Sequence, residues 1–237
     1  MKKYCYFILC LLIIGCSNPD KDPLRKFAGS YKDYFIVKGK VVGNRHNGTY
    51  YSPNKVFSVG LVRLLGPGVI VRDNFRKDFG KNKDYSYNAG TVSFSDDFGT
   101  FYRIDTFQLP EVYDFSKSQL KLLIDGSMEY EMSLYKELDP NAEILYKNYF
   151  DIDGTYIGYY VVYLANGSNY FVNGSRADVF RSSFVFLKGD YVYILSNQYR
   201  DEDRWRFTGD IKLNDKAIKE IKEGLTKIYK TMKFGNN

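Results

Sequence analysis

Beyond its first thirty residues the chain rarely carries an apolar run far before a turn residue stops it. Tyr34–Val42, Val56–Leu65, Val69–Arg72, Thr91–Phe94, Thr100–Phe107, Leu120–Ile124 and Met128–Tyr135 read as strands. Tyr156–Leu164, Tyr170–Val172, Val179–Leu187, Tyr191–Leu195 and Arg204–Leu213 continue the series. Between them lie Asn47-Gly48, Gly66-Pro67-Gly68, Asp125-Gly126, Asn166-Gly167, Asn173-Gly174 and Lys188-Gly189-Asp190. Asn-Gly and Asp-Gly tolerate the positive φ angles that tight hairpins need. In KLLIDGSMEYEMSLY, Met128, Tyr130, Met132 and Leu134 alternate with polar residues, so a hairpin about Asp125-Gly126 is expected. Aromatic residues make up 18% of the chain, and Tyr and Phe favour half-buried pleated surfaces. The expected class is all-β: an antiparallel meander forming a barrel or sandwich.

Two segments carry helix signals. Asp139-Pro140 is placed to cap and open a short helix through about Tyr149. From Asn214, a good N-cap residue, Ile218, Ile221, Leu225, Ile228 and Met232 recur at spacings of three and four. Lys216, Lys219, Lys222, Lys227 and Lys230 fall largely off that stripe, so an amphipathic C-terminal helix packed on the β body is expected. The other reading of that helix is a basic face lying on an anionic membrane.

An internal echo bears on organisation. GSYKDYFIV (29–37) matches the pattern of GTYIGYYVVY (154–163), and residues 56–74 lie without gaps on residues 179–197. Seven positions of that second match are identical, and AGTVSFSDD (89–97) then lies on TGDIKLNDK (208–216), a third match in the same order. Two related tandem β modules are therefore expected, 27–136 and 151–237, the second ending in the helix. A linker with a short helix over 137–150 would join them.

The N-terminus, MKKYCYFILCLLIIGC, places Lys2 and Lys3 before an apolar run from Cys5 to Ile14. That run is shorter than the roughly 20 residues a membrane span needs, and its layout is that of an export signal. Ile13-Ile14-Gly15-Cys16 resembles the lipobox of bacterial lipoproteins. The resemblance implies cleavage before Cys16, leaving residues 1–15 as signal peptide and Cys16 as the lipid-attachment residue. Cys5, Cys10 and Cys16 are the only cysteines, so the mature chain would hold no free thiol and no disulfide. Two or three acyl chains anchor a protein stably, each buried methylene contributing about 0.8 kcal/mol. Residues 16–26 then form a lipidated polar tether. Ser17 after the cysteine resembles outer-membrane sorting in enterobacterial lipoproteins, so the expected location is the cell envelope, at the outer membrane.

KFAGSYKDY (26–34) resembles the opening of the lipocalin signature, with Tyr31 where that family has Trp. That resemblance implies a barrel, and an apolar small molecule as one candidate ligand. Formal net charge is +6, two units of it from Lys2 and Lys3. So mild a balance on a mixed surface gives no footprint for nucleic acid.

Catalytic patterns are sparse. The single histidine, His46, lies in a turn-like stretch, and zinc or transition-metal sites lack their usual ligand sets. No cofactor is expected. Asp151 with Asp153, and Asp201, Glu202 and Asp203, are paired acids of the kind glycoside hydrolysis uses, although both groups sit at predicted turns. Tyr191 and Tyr193 share one strand face, and Arg204 and Arg206 share another opposite Trp205 and Phe207. A Tyr/Arg surface suits protein binding, so these four are the candidate binding residues. The expected function is a non-catalytic binding body on a lipid anchor, its partner an envelope or host protein or an apolar molecule. An envelope assembly role and a carboxylate-dependent glycan hydrolase are the alternatives.

Overall fold

A computed structural model describes residues 42–61, 69–75, 89–95, 101–109, 114–165, 171–172, 175–176, 179–199 and 213–235. In chain order its elements are β1 (Asn44–His46), β2 (Thr49–Tyr51), β3 (Phe57–Gly60), β4 (Ile70–Phe75), β5 (Ala89–Ser95) and β6 (Phe101–Gln108). Helix α1 (Lys117–Leu138) follows, then β7 (Glu143–Ile152), β8 (Thr155–Leu164), β9 (Phe171–Val172) and β10 (Ser175–Arg176). The chain continues with β11 (Val179–Lys188), β12 (Tyr191–Tyr199), helix α2 (Asp215–Tyr229) and β13 (Lys233–Phe234).

A seven-stranded antiparallel sheet in the order β4-β5-β6-β12-β11-β8-β7 forms the body. A smaller sheet, β1-β2-β3-β13, and a ribbon of β9 with β10 complete the strands. Among the described residues no sheet closes into a barrel, because β4 and β7 end the large sheet as separate edges. The sheet is instead a middle layer, with α1 on one face and α2 plus the small sheet on the other. This double cover explains the apolar runs of β8, of Phe184–Leu187 in β11 and of Tyr191–Leu195 in β12. In β8, Ile157, Tyr159 and Val161 enter one core while Tyr160, Val162 and Leu164 enter the other.

The hairpins follow their turn residues. Asn47 and Gly48 join β1 to β2 at φ 47° and 71°, and Asp153 and Gly154 join β7 to β8 at 49° and 72°. Two consecutive positive φ angles define the tight turn whose twist matches the flanking strands. A Cβ on Gly154 would meet nothing within 4 Å, so the backbone angle alone calls for glycine there. Gly158 answers to space: a Cβ would lie 2.4 Å from Ile124 Cγ2, so its absence lets α1 approach β8.

Helix α1 corrects the hairpin expected over residues 120–135. Ser116 caps it: Ser116 Oγ accepts from the Gln119 N–H (3.4 Å) and Gln119 Oε1 accepts from the Ser116 N–H (2.9 Å). Ile124, Met128, Met132 and Tyr135, spaced four, four and three, form the buried stripe. The alternation of Met128 and Met132 with polar neighbours satisfies both periods, and burial of the stripe decides for the helix. A central Gly126 costs about 1 kcal/mol, whereas each fully buried stripe residue contributes about 1.5–3 kcal/mol. Asp139-Pro140, expected to open a helix, ends this one. The Asp139 N–H donates to the Tyr135 carbonyl (2.8 Å), and the Asp139 carboxylate accepts from the Asn141 (2.9 Å) and Ala165 (2.8 Å) N–H groups. The residues that follow form edge strand β7, so 137–150 is not a linker with a helix.

The tandem-module reading meets a different arrangement. Of the two aligned stretches, β3 lies in the small sheet and β4 at an edge of the large one, while β11 and β12 form one central hairpin. Strand β6, from the first expected module, pairs along its length with β12 from the second. Gly29–Val37 lies outside the described residues.

Helix α2 begins where expected, with Asn214 Oδ1 accepting from the Ala217 N–H (2.9 Å). Its stripe of Ile221, Leu225, Ile228 and Tyr229 is buried in the body, so that face is not available to a membrane. The small sheet is tied to edge strand β4 through Asp73, whose Oδ2 accepts from the Gly43 N–H (2.5 Å) and the Tyr50 hydroxyl (2.8 Å).

Candidate functional site

The residues singled out from sequence do not converge. Tyr191 and Tyr193 are 2% and 1% exposed and fill the layer between the large sheet and α2. Tyr193 stacks on Phe186 (ring centroids 5.3 Å) and takes Phe57 edge-on (5.8 Å). Val192 and Ile194, on the opposite face, are buried under α1. The binding surface expected at Tyr191 and Tyr193 is therefore core, because both faces of the sheet are covered. Arg204, Arg206, Cys16 and the Asp201–Asp203 group lie outside the described residues. Asp151 lies in β7 and Asp153 in the β7–β8 turn; Asp151 is 56% exposed and pairs with Lys117 across 3.6 Å. His46 ends β1 and is exposed.

Two polar constellations under α1 were missed from sequence. In the first, Asp125, expected as a turn residue, is a four-fold acceptor. Its Oδ1 receives the hydroxyls of Tyr149 and Tyr160 (2.7 Å for Tyr160) and the Lys147 ammonium (2.9 Å), and its Oδ2 receives Lys121 (3.0 Å). Burial alone would raise its pKa, but the bonds from Tyr149, Lys147, Tyr160 and Lys121 outweigh that and hold it at about 2. Burial and the Asp125 bond push the Tyr160 phenol far up. Around the node, Tyr149 stacks on Tyr156 (5.8 Å), with Lys121 over Tyr149 (4.8 Å) and Lys117 over Tyr156 (4.9 Å). The lattice pins the N-terminal half of α1 to β7 and β8.

The second constellation lies where the C-terminal half of α1 crosses the sheet. Arg103 Nε meets Asp105 Oδ2 at 2.6 Å, and its Nη2 stands 3.6 Å from Glu131 of α1. Arg181 of β11 lies over the rings of Tyr135 (5.7 Å) and Phe101 (5.9 Å). Asp105 is fully buried and Glu131 is 1% exposed. Burial pushes the Asp105 carboxyl up to about 6; Arg103 opposes the rise and Glu131 adds to it. Both acids hold Arg103 well above its ordinary range despite its burial. Arg103 meets both acids and Arg181 adds a second cation beside the Tyr135 ring, so opposite charges are brought together in a layer sealed from water. Sequence offered one signal for it: Arg103 and Asp105 share a strand face within an otherwise apolar run.

A groove of about 470 Å³ lies along Val42–Asn44, His46 and Tyr51–Lys55 and is open to solvent. Asn54 and Lys55 both hold positive φ (54°) at its rim. Among the described residues no group of three or more His, Cys, Asp or Glu side chains converges as metal ligands. No helix there is long and apolar enough to cross a membrane.

No protein-family model matches the chain, and no curated protein matches it. Among solved structures it is similar to the cyanobacterial PsbP (CyanoP) of Synechocystis, at 14% identity and a TM-score of 0.45. That likeness covers 79% of this chain and 91% of the other.

Proposed function

We propose that the chain is a lipid-anchored cell-envelope protein, held through Cys16, whose β-rich body binds a partner rather than catalysing a reaction. The observation that carries the reading is Ile13-Ile14-Gly15-Cys16 after a short basic and apolar leader, with Cys16 the one cysteine left after cleavage. The body supports a surface role. Its interlayer spaces are filled by aromatic side chains such as Tyr159, Phe184, Phe186 and Tyr193, each at most 1% exposed. Its buried charges are spent on holding α1. A filled interior favours recognition at the surface over carriage of an apolar molecule inside. The likeness of residues 56–74 to 179–197 is, on the same footing, a proposal of sequence duplication, resting on identical positions and not on shared strand partners.

Fractionation of cells expressing the full chain tests the anchor. The wild type should partition with membranes and incorporate labelled fatty acid, and Cys16→Ser should move to the soluble fraction without label. A Cys16→Ser chain that stays membrane-bound removes the reading.

A further inference from the structure

Among the described residues strand β7 is a long edge with no strand beyond it, and Asn148 Oδ1 accepts from one of its outward groups, the Tyr149 N–H (2.8 Å). The strand runs ten residues at the end of the seven-stranded sheet; Tyr146, Tyr149, Phe150 and Ile152 are half-buried and the other six are exposed. Natural sheets usually blunt such an edge with several lysines, proline or a bulge. Here the one irregularity falls between Ile144 and Tyr146, which leaves Tyr146–Ile152 regular. From the geometry of this edge we infer that β7 pairs antiparallel with β7 of a second copy, joining two large sheets across a two-fold axis.

The register follows from the hairpin. Ile152 faces Thr155 across the two-residue Asp153–Gly154 turn, and that closing pair exchanges both backbone hydrogen bonds. Alternation then turns the N–H and C=O groups of Phe150 and Asn148 toward β8 and those of Asp151, Tyr149 and Lys147 outward. A two-fold axis at Tyr149 sets Lys147 opposite Asp151 of the second copy, and Asp151 opposite its Lys147. All three outward residues then exchange backbone bonds, the Tyr149 N–H leaving the exposed Asn148 side chain for the partner strand. Lys147 and Asp151, which hold Asp125 and Lys117 within the chain, each gain an opposite charge across the axis.

Other registers fail on charge or on strand length. An axis at Lys147 opposes two lysines and places Asp151 against Glu143. One at Asp151 opposes two aspartates. One at Asn148 faces Lys147 with Tyr149 and Asp151 with Leu145, leaving the charges unmatched, and one at Phe150 carries Lys147 past the partner strand's end. Opposite charges directly across a pair favour a register and like charges oppose it. A symmetric, self-complementary contact is the commonest way a chain associates with itself.

Sedimentation velocity of the full chain in detergent, over a concentration series, tests the pairing. The wild type should sediment as two chains and dissociate on dilution. Asp151→Lys places two lysines opposite each other and should abolish the dimer over the same range. Asp151→Pro removes one outward N–H without touching the β7–β8 ladder, and it should do the same. Far-UV circular dichroism and melting of the monomeric variants should match the diluted wild type, which separates lost pairing from lost folding. A wild type that stays monomeric at every concentration overturns the inference, as does a dimer that both variants leave intact.

Discussion

Asp125 shows how one side chain can be read two ways. Before a glycine it looks like the corner of a hairpin, yet in the fold it gathers two tyrosines and two lysines beneath α1. Its folded pKa of about 2 lies below the ordinary carboxylate value, so the ionised form is favoured by folding. The stability it contributes is complete above about pH 4 and is lost as pH falls through about 2. The side chain stands near solvent, at 17% exposure, so screening reduces the gain to about 1–2 kcal/mol. Asp125→Asn should therefore be less stable than the wild type by that amount at neutral pH. The difference should shrink toward zero near pH 2, which urea unfolding across that range measures. A gap that persists undiminished in acid would mean that shape, and not charge, holds the node.

At the scale of the element, α1 separates the competing signals most sharply. Its capping box, Ser116 with Gln119, is legible in sequence as Ser-x-x-Gln, and Leu, Lys, Gln, Glu and Met are good helix formers. The alternation of Met128, Tyr130, Met132 and Leu134 drew the reading to a strand, because Met128 and Met132 fit a period of two as well as a helical stripe. Only the sheet beneath, with Gly158 hollowed to admit Ile124, settles which face is buried. Gly126→Ala distinguishes the two outcomes by sign. In a helix, with nothing within 4 Å of the new Cβ, alanine should stabilise by about 0.5–1 kcal/mol. In a tight Asp-Gly turn it would destabilise. Thermal unfolding of this one variant decides between them. The strands and α2 were more legible, since β6, β8, β11, β12 and the Asn214 cap fall at or near their expected places.

At the scale of the whole molecule, the pairing of β6 with β12 makes one sheet from both halves of the chain. Neither half can bury its share of that sheet alone, so the body should unfold in a single cooperative step. Fluorescence and circular dichroism monitored through a urea titration should give coincident midpoints. Two separated transitions would restore the picture of two modules. The candidate sites follow the same logic. Tyr191 and Tyr193 alternate correctly along β12, but alternation cannot say that both faces of a strand are covered, so a surface was expected where a core exists. Arg103, Asp105 and Glu131 are far apart in sequence as a group, and no local spacing announces that a helix and a strand bring them together. What the sequence determined by itself was local: the turns at Asn47-Gly48, Asp153-Gly154 and Gly189, most of the strands, and the cap and stripe of α2. Those features depend on backbone angles, short-range periods and near neighbours. Tertiary structure alone decided that α1 is a helix, that the sheet stays open with two covered faces, and which charges meet beneath α1. Each of those depends on what lies across a layer, and that partner comes from a distant part of the chain.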